Sequence, residues 1–143
     1  MIVNVGNLTF LLDDAKSAAT VTRSLVPYSG DIEIPASVEY AGRDYAVTDI
    51  LDEAFKECTG LHSVVLGANI DSIGISSFEG CTVLSRVVFN DALHVIGMQA
   101  FKGCTSLVEL VLPSKVLVIG RAAFMGCTAL ESAYLPDNLI NIE

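Results

Sequence analysis

The chain is 143 residues long, 52% hydrophobic and 17% charged, which suits one domain with a real apolar core and excludes a disordered chain. Its 8 basic and 17 acidic residues leave a formal charge of −9, which repels phosphate backbones and anionic lipid, so neither nucleic acid nor a charged membrane surface is an expected partner. No apolar run approaches the length of a membrane span, so no membrane insertion is expected.

The start, "MIVNVGNLTFLLDD", has no early Lys or Arg and no small-residue cleavage site, so it is not a signal peptide. Either the protein stays inside the cell, or this is a mature or excised piece of an exported one. Asn7-Leu8-Thr9 fits the glycosylation pattern, but so short a match carries no weight. "LTFLLDD" and "AATVTRS" read as a strand pair turning around Asp13 to Ser17. Next, Ile32 and Ile34, Val38 and Tyr40, and Tyr45 and Val47 alternate as strands do, with Ala41-Gly42-Arg43 as a hairpin turn. Residues 1–50 are expected to form an N-terminal β-rich cap and entry half-repeat, because a repeat array must shield the end of its core.

Residues 51–143 are periodic. Phe55, Phe78, Phe101 and Phe124 are spaced by 23, and so are Cys58, Cys81, Cys104 and Cys127. A Thr follows each Cys, and Leu61, Leu84, Leu107 and Leu130 each stand two residues beyond. Self-similarity in several columns at this period means a solenoid, here of about four coils. Within one coil, Leu107, Leu110 and Leu112 follow L-x-x-L-x-L, so Leu110 and Leu112 face inward from a short strand and Val111 faces outward. Pro113 ends that strand, Val116 and Ile119 return to the interior, and Gly120 is read as a turn residue. "RAAFMGC" is read as one or two helical turns with Phe124 and Cys127 on one face, closed by Gly126. The expected fold is an α/β solenoid: one parallel β-sheet, short helical turns opposite, and ladders of Phe, Leu and Cys inside. The final "LINIE" lacks a closing element. It reads as a shortened chain or an end covered by a partner subunit, so self-association through Leu139 and Ile142 is expected.

The four cysteines lie on a line, whereas zinc needs ligands around one point, so no metal site is expected. Disulfides between neighbouring coils are the alternative to reduced, packing thiols, and the inward column favours the latter. His62 and His94 fall in different columns with no nucleophile column beside them, and nucleotide-binding glycine motifs are absent. Residues 31–57 hold eight of the 17 acids, including Asp49, Asp52, Glu53 and Glu57, but without calcium-loop spacing, so they read as a solvated face. No cofactor is expected. The outward strand columns are Val65, Val88, Val111 and Tyr134; then Ser63, Arg86, Glu109 and Ser132; then His62, Ser85, Val108 and Glu131. Valine's preference for strands accounts for the first column. An apolar stripe rimmed by polar residues, with Arg86 and Glu109 beside it, also fits a protein or peptide ligand.

"IGMQAFKGCTSLVELVLP" and "IGRAAFMGCTALESAYLP" resemble the BspA-like, or Treponema-type, leucine-rich repeats, whose pattern is close to I-G-x-x-A-F-x-x-C-x-x-L-x-x-V-x-L-P. The resemblance covers roughly residues 28–143. It departs at Ser77, which replaces Ala, and at Gly67 and Asn90, which stand where Pro113 and Pro136 stand. It implies a right-handed leucine-rich-repeat coil on a cell-surface or secreted bacterial or protist protein, used in adhesion or host-protein binding. It offers no catalytic motif, so a non-enzymatic protein-binding module is expected. A structural spacer in a larger surface protein and a cytoplasmic scaffold are the alternatives.

Overall fold

In the computed structural model, residues 1–137, 139 and 141–142 are described, the last two by their main chain alone. The N-terminal strands β1 (Ile2–Val5), β2 (Leu8–Asp13) and β3 (Ala18–Val21) run antiparallel in sequence order, with Phe10 opposite Val21. Then come β4 (Ser29–Glu33), β5 (Ser37–Tyr40) and β6 (Arg43–Ile50). β5 and β6 form the expected hairpin. Its two-residue turn has both φ angles positive, 52° at Ala41 and 77° at Gly42, the geometry that matches strand twist. β3 lies parallel to β6, which joins the N-terminal strands to the coils.

The coils supply β7 (Gly60–Val65), β8 (Ser72–Ile73), β9 (Arg86–Val88), β10 (Val95–Ile96), β11 (Glu109–Val111), β12 (Val118–Ile119), β13 (Ser132–Tyr134) and β14 (Asn141–Ile142). They form two parallel faces, not the single sheet expected. β4, β7 and β9 pair in one run and β11 and β13 in another, while β6, β8, β10, β12 and β14 make a second ladder. This second face comes from the V-x-x-I segment after the Pro113-type turn. Val116 and Ile119 are buried, which holds the main chain between coils in register, Ile73 opposite Ile96 and Ile96 opposite Ile119.

The helical turns are also corrected: among the described residues there is no helix. Alternate N–H groups in this stretch reach the next coil, as Phe55 to the Ser77 carbonyl, Phe78 to Ala100 and Phe101 to Ala123, each at 2.7 Å. The N–H groups between them close tight turns, such as Ala54 to Leu51 at 3.1 Å and Lys56 to Glu53 at 3.2 Å. An α-helix would need those bonds to run within the coil. Positive φ recurs every four residues, at Gln99 (57°) and Gly103 (74°) and at Ala122 (56°) and Gly126 (76°), which a right-handed helix cannot contain.

Coils stack through their aromatic column. The rings of Phe55, Phe78, Phe101 and Phe124 lie nearly parallel at successive centroid distances of 4.8, 5.0 and 5.4 Å. Tyr28 continues the stack onto Phe55 at 4.6 Å, and its hydroxyl donates to the Thr22 carbonyl at 2.7 Å while accepting from the Thr9 N–H at 3.1 Å. Gly120 and Gly97 are not turn residues, since neither has a positive φ. They mark a close approach: a Cβ on Gly97 would sit 2.7 Å from the Gly74 carbonyl carbon and 2.8 Å from the Ile75 nitrogen. Because both neighbours are main chain, Gly97→Ala should force two coils apart and cost about 1–3 kcal/mol, read as a lower urea midpoint. At the far end Leu139 packs, partly buried, against the core, while the side chain of Ile142 lies outside the described residues.

Candidate functional site

The outward columns expected from the sequence lie on the face of β4, β7, β9, β11 and β13. Ser63 stands opposite Arg86 and Val65 opposite Val88; Glu109 stands opposite Ser132 and Val111 opposite Tyr134. Val65 and Val88 are half-buried, whereas Val111 and Tyr134 are 52% and 62% exposed. The stripe is therefore real, but it falls into two halves, because β9 and β11 are not paired. A cleft of about 590 Å³ opens there, between Arg86, Val88 and Phe89 on one side and Val108, Glu109 and Val111 on the other.

A fifth strand belongs to this face. β4 places Asp31 opposite Ser63, whose hydroxyl donates to the Asp31 carboxylate at 2.7 Å, and Glu33 opposite Val65. The periodicity missed it, since Glu33 and Val65 are 65 − 33 = 32 residues apart: one repeat of 23 plus the nine added by the hairpin. The signal available was Ile34-Pro35, which repeats the Leu112-Pro113 strand ending. The face thus carries Asp31, Glu33, Glu109 and Glu131 against Arg86, and is acidic.

Some charges elsewhere pair within the molecule. On the turn side Glu79 lies between Lys56 at 3.7 Å and Lys102 at 3.8 Å, and on the second face His94 meets Asp71 at 2.5 Å. Among the described residues neither Arg86 nor Glu109 has an ion-pair partner. His62 lies exposed on the strand face, apart from His94. A larger hollow, about 980 Å³, is not on this face at all. It lies among the N-terminal strands, beside the fully exposed Leu25 and the exposed Val26.

The cysteines are free thiols turned away from this surface. Cys81, Cys104 and Cys127 donate from Sγ to the carbonyls of Phe55, Phe78 and Phe101, at 3.0, 3.1 and 3.2 Å. Burial pushes all four thiols up, Cys81 to about 12, so they stay protonated and unreactive at neutral pH. Among the described residues no three His, Cys, Asp or Glu side chains converge as metal ligands.

Among curated proteins none matches this chain. Solved structures do. It is similar to a leucine-rich repeat protein from Bacteroides capillosus, with 35% identity over 80% of this chain and 84% of that one and a TM-score of 0.72. It is similar to the leucine-rich repeat protein of T. pallidum, with 28% identity over 94% and 71% and a TM-score of 0.69. A leucine rich cell surface protein from Faecalibacterium prausnitzii matches at 26% identity with a TM-score of 0.74, over 97% of this chain but 44% of that one. The sequence pattern of the BspA type leucine rich repeat region matches residues 48–143 in six copies. The stacked Phe and Cys columns, the L-x-x-L-x-L strands and this match agree, and the chain belongs to the BspA-type leucine-rich-repeat family.

Proposed function

We propose that this chain is a non-enzymatic protein-binding module of a bacterial surface or secreted protein, used in adhesion or host-protein contact through the face of β7, β9, β11 and β13. One observation carries the reading: Val111 and Tyr134 are exposed on the same face that leaves Arg86 and Glu109 without ion-pair partners. An exposed apolar stripe with unpaired charges on its rim is the composition of a contact surface. The F. prausnitzii relative is a leucine rich cell surface protein, which supports the location. Residues 1–50 act as the cap in this reading, with Tyr28 shielding the end of the phenylalanine stack.

A spacer is the second reading. It is favoured by the F. prausnitzii protein, of which this chain spans 44%, so these coils correspond to less than half of a longer protein. Binding separates the two. A partner crosslinked on intact source cells should lose about tenfold or more in affinity for the Val88→Lys, Val111→Lys double variant. Equal affinity would remove the strand face as the site. Protease shaving of unbroken cells tests location: peptides released only after lysis would favour the intracellular scaffold.

A further inference from the structure

The strand β1 is paired on one side alone. Among the described residues its only strand partner is β2, so its other edge is an end of the nine-stranded sheet. The register fixes which groups lie on that edge. The Leu12 N–H donates to the Met1 carbonyl at 2.8 Å, and Val3 lies opposite Phe10 and Val5 opposite Leu8. Antiparallel bonding alternates along a strand, so Val3 and Val5 bond to β2, while the N–H and C=O of Ile2 and Asn4 point away from it. Side chains alternate as well. Val3 is buried and Val5 half-buried, whereas Asn4 is exposed and Ile2 is 68% exposed. The Asn4 side chain accepts from the Thr9 hydroxyl at 2.7 Å, which ties β1 to β2 up to its outer edge.

Proteins usually protect such an edge with charge, proline, a bulge or a covering segment. The sheet ends at β4 and β5 follow that rule, with Asp31 and Glu33 on β4 and Glu39 on β5. β1 reads Ile-Val-Asn-Val, with no charge, no proline and no register shift against β2. Apolar surface lies beside it. The hollow of about 980 Å³ is lined by Ile2 and Asn4 together with the exposed Leu25 and Val26. Arg23 also lines it, and meets Glu53 at 3.9 Å.

We propose that the β1 edge is the contact through which two copies of this chain pair, strand to strand and antiparallel. The strand is complementary to itself. About a two-fold axis at Val3, Ile2 of each copy stands opposite Asn4 of the other, and these are the residues whose main-chain groups point outward. The two N–H and two C=O groups that Ile2 and Asn4 turn outward then all find partners. On the inner face Val3 meets Val3 of the second copy, which continues the buried side of the sheet. The charge of −9 does not oppose this contact. Neither β1 nor the hollow carries an acid, and charges more than about 8 Å away are screened at physiological salt. A charged strand would find no counter-charge on β1, which favours the neutral strand of a second copy. The contact is separate from the face of β7, β9, β11 and β13, so a pair presents that face twice.

Sedimentation velocity of the whole chain over a concentration series tests this, with amide-resolved hydrogen exchange on the same samples. A dimer should form. The Asn4 amide should exchange about tenfold or more slowly in the dimer than in the dilute monomer, while Val5, already bonded to Leu8, changes less. Added salt should tighten the pair, because the net charges repel. Ile2→Lys puts a charge on the edge and should weaken pairing about tenfold or more. Ile2→Pro removes an outward N–H at the first residue of the strand and should act alike. Both variants should keep the wild-type urea midpoint; should either lose it, Asn4 exchange in the wild type decides the question without them. Val111→Lys on the strand face and Leu139→Lys on the last coil should leave the dimer intact. A strict monomer up to about 1 mM overturns the proposal. So does a dimer that survives both Ile2 variants in folded form, that Leu139→Lys abolishes, or that leaves Asn4 exchange unchanged. Asn4 protection by added acetyl-Thr-Val-Thr-Val-Thr-amide without any dimer gives the edge to another protein and overturns the second-copy assignment. None of these outcomes bears on the strand face, which the valine double variant tests by itself.

Discussion

Phe101→Ala is expected to lower stability by about 3–5 kcal/mol, the usual cost of deleting a fully buried aromatic side chain. Phe101 is 0% exposed and touches three rings: Phe78 at 5.0 Å, Phe124 at 5.4 Å and Phe89 edge-on at 6.0 Å. Each such pair adds about 0.5–1.5 kcal/mol beyond its buried area, so the column loses more than one transfer energy. Relaxation into the cavity is restricted, because the Phe101 N–H donates to the Ala123 carbonyl in the next coil at 2.7 Å and its own carbonyl accepts from the Cys104 N–H at 3.1 Å and the Cys127 Sγ at 3.2 Å. In a stacked array the loss falls on both interfaces of one coil. Against a total of roughly 5–15 kcal/mol for a domain, that is a large share. Urea unfolding followed by circular dichroism would show it as a lower midpoint. A cost under about 1 kcal/mol would mean that the phenylalanine column fills space without holding the coils together.

Alkaline pH should unfold the chain through its thiols. Burial pushes Cys81 up from 9.0 to about 12, with the neighbouring Cys58 adding in the same direction, and Cys104, Cys58 and Cys127 are also raised. A raised folded pKa means that above pH 9 the unfolded thiol has lost a proton the folded one keeps. Stability is therefore fully present below pH 9 and declines as pH climbs toward about 12. For Cys81 alone the slope is about 1.4 kcal/mol per pH unit, or roughly 4 kcal/mol over the whole window. The structural cause is plain: the Cys81 Sγ donates to the Phe55 carbonyl at 3.0 Å, and a thiolate there would face an oxygen with no proton between them. Tyr28, also raised by burial, adds loss of the same sign above pH 10. The decisive measurement is thus a difference. Urea midpoints between pH 8 and pH 11 should fall less steeply in Cys81→Ala than in the wild type, and equal slopes would refute the assignment.

Much of this was legible in the sequence because stacking puts the same demand on the same column in every coil. Phe55, Phe78, Phe101 and Phe124 recur at 23 because each ring must lie over the last, and the cysteines recur because each closes the same corner. The hairpin at Ala41-Gly42 was legible because its backbone requires positive φ at both residues. The outward columns from Val65 to Tyr134 followed from strand alternation alone.

What stayed hidden depends on bonds between residues far apart in the chain. Val95–Ile96 and Val118–Ile119 are strands of two residues, too short for any period, and they exist because their neighbours lie one coil away. "RAAFMGC" has helical spacing, but its Arg121, Ala123 and Met125 carbonyls accept from Gln99, Phe101 and Gly103 of the preceding coil, so bonds between coils displaced a helix. β4 escaped the repeat because the hairpin displaced it along the sequence and not in space. The sequence by itself determined the periodic interior, since burial in a stacked column restricts each position to a few side chains. The tertiary structure decided where main-chain bonds run between coils, since every residue carries the same N–H and C=O and only packing selects their partners.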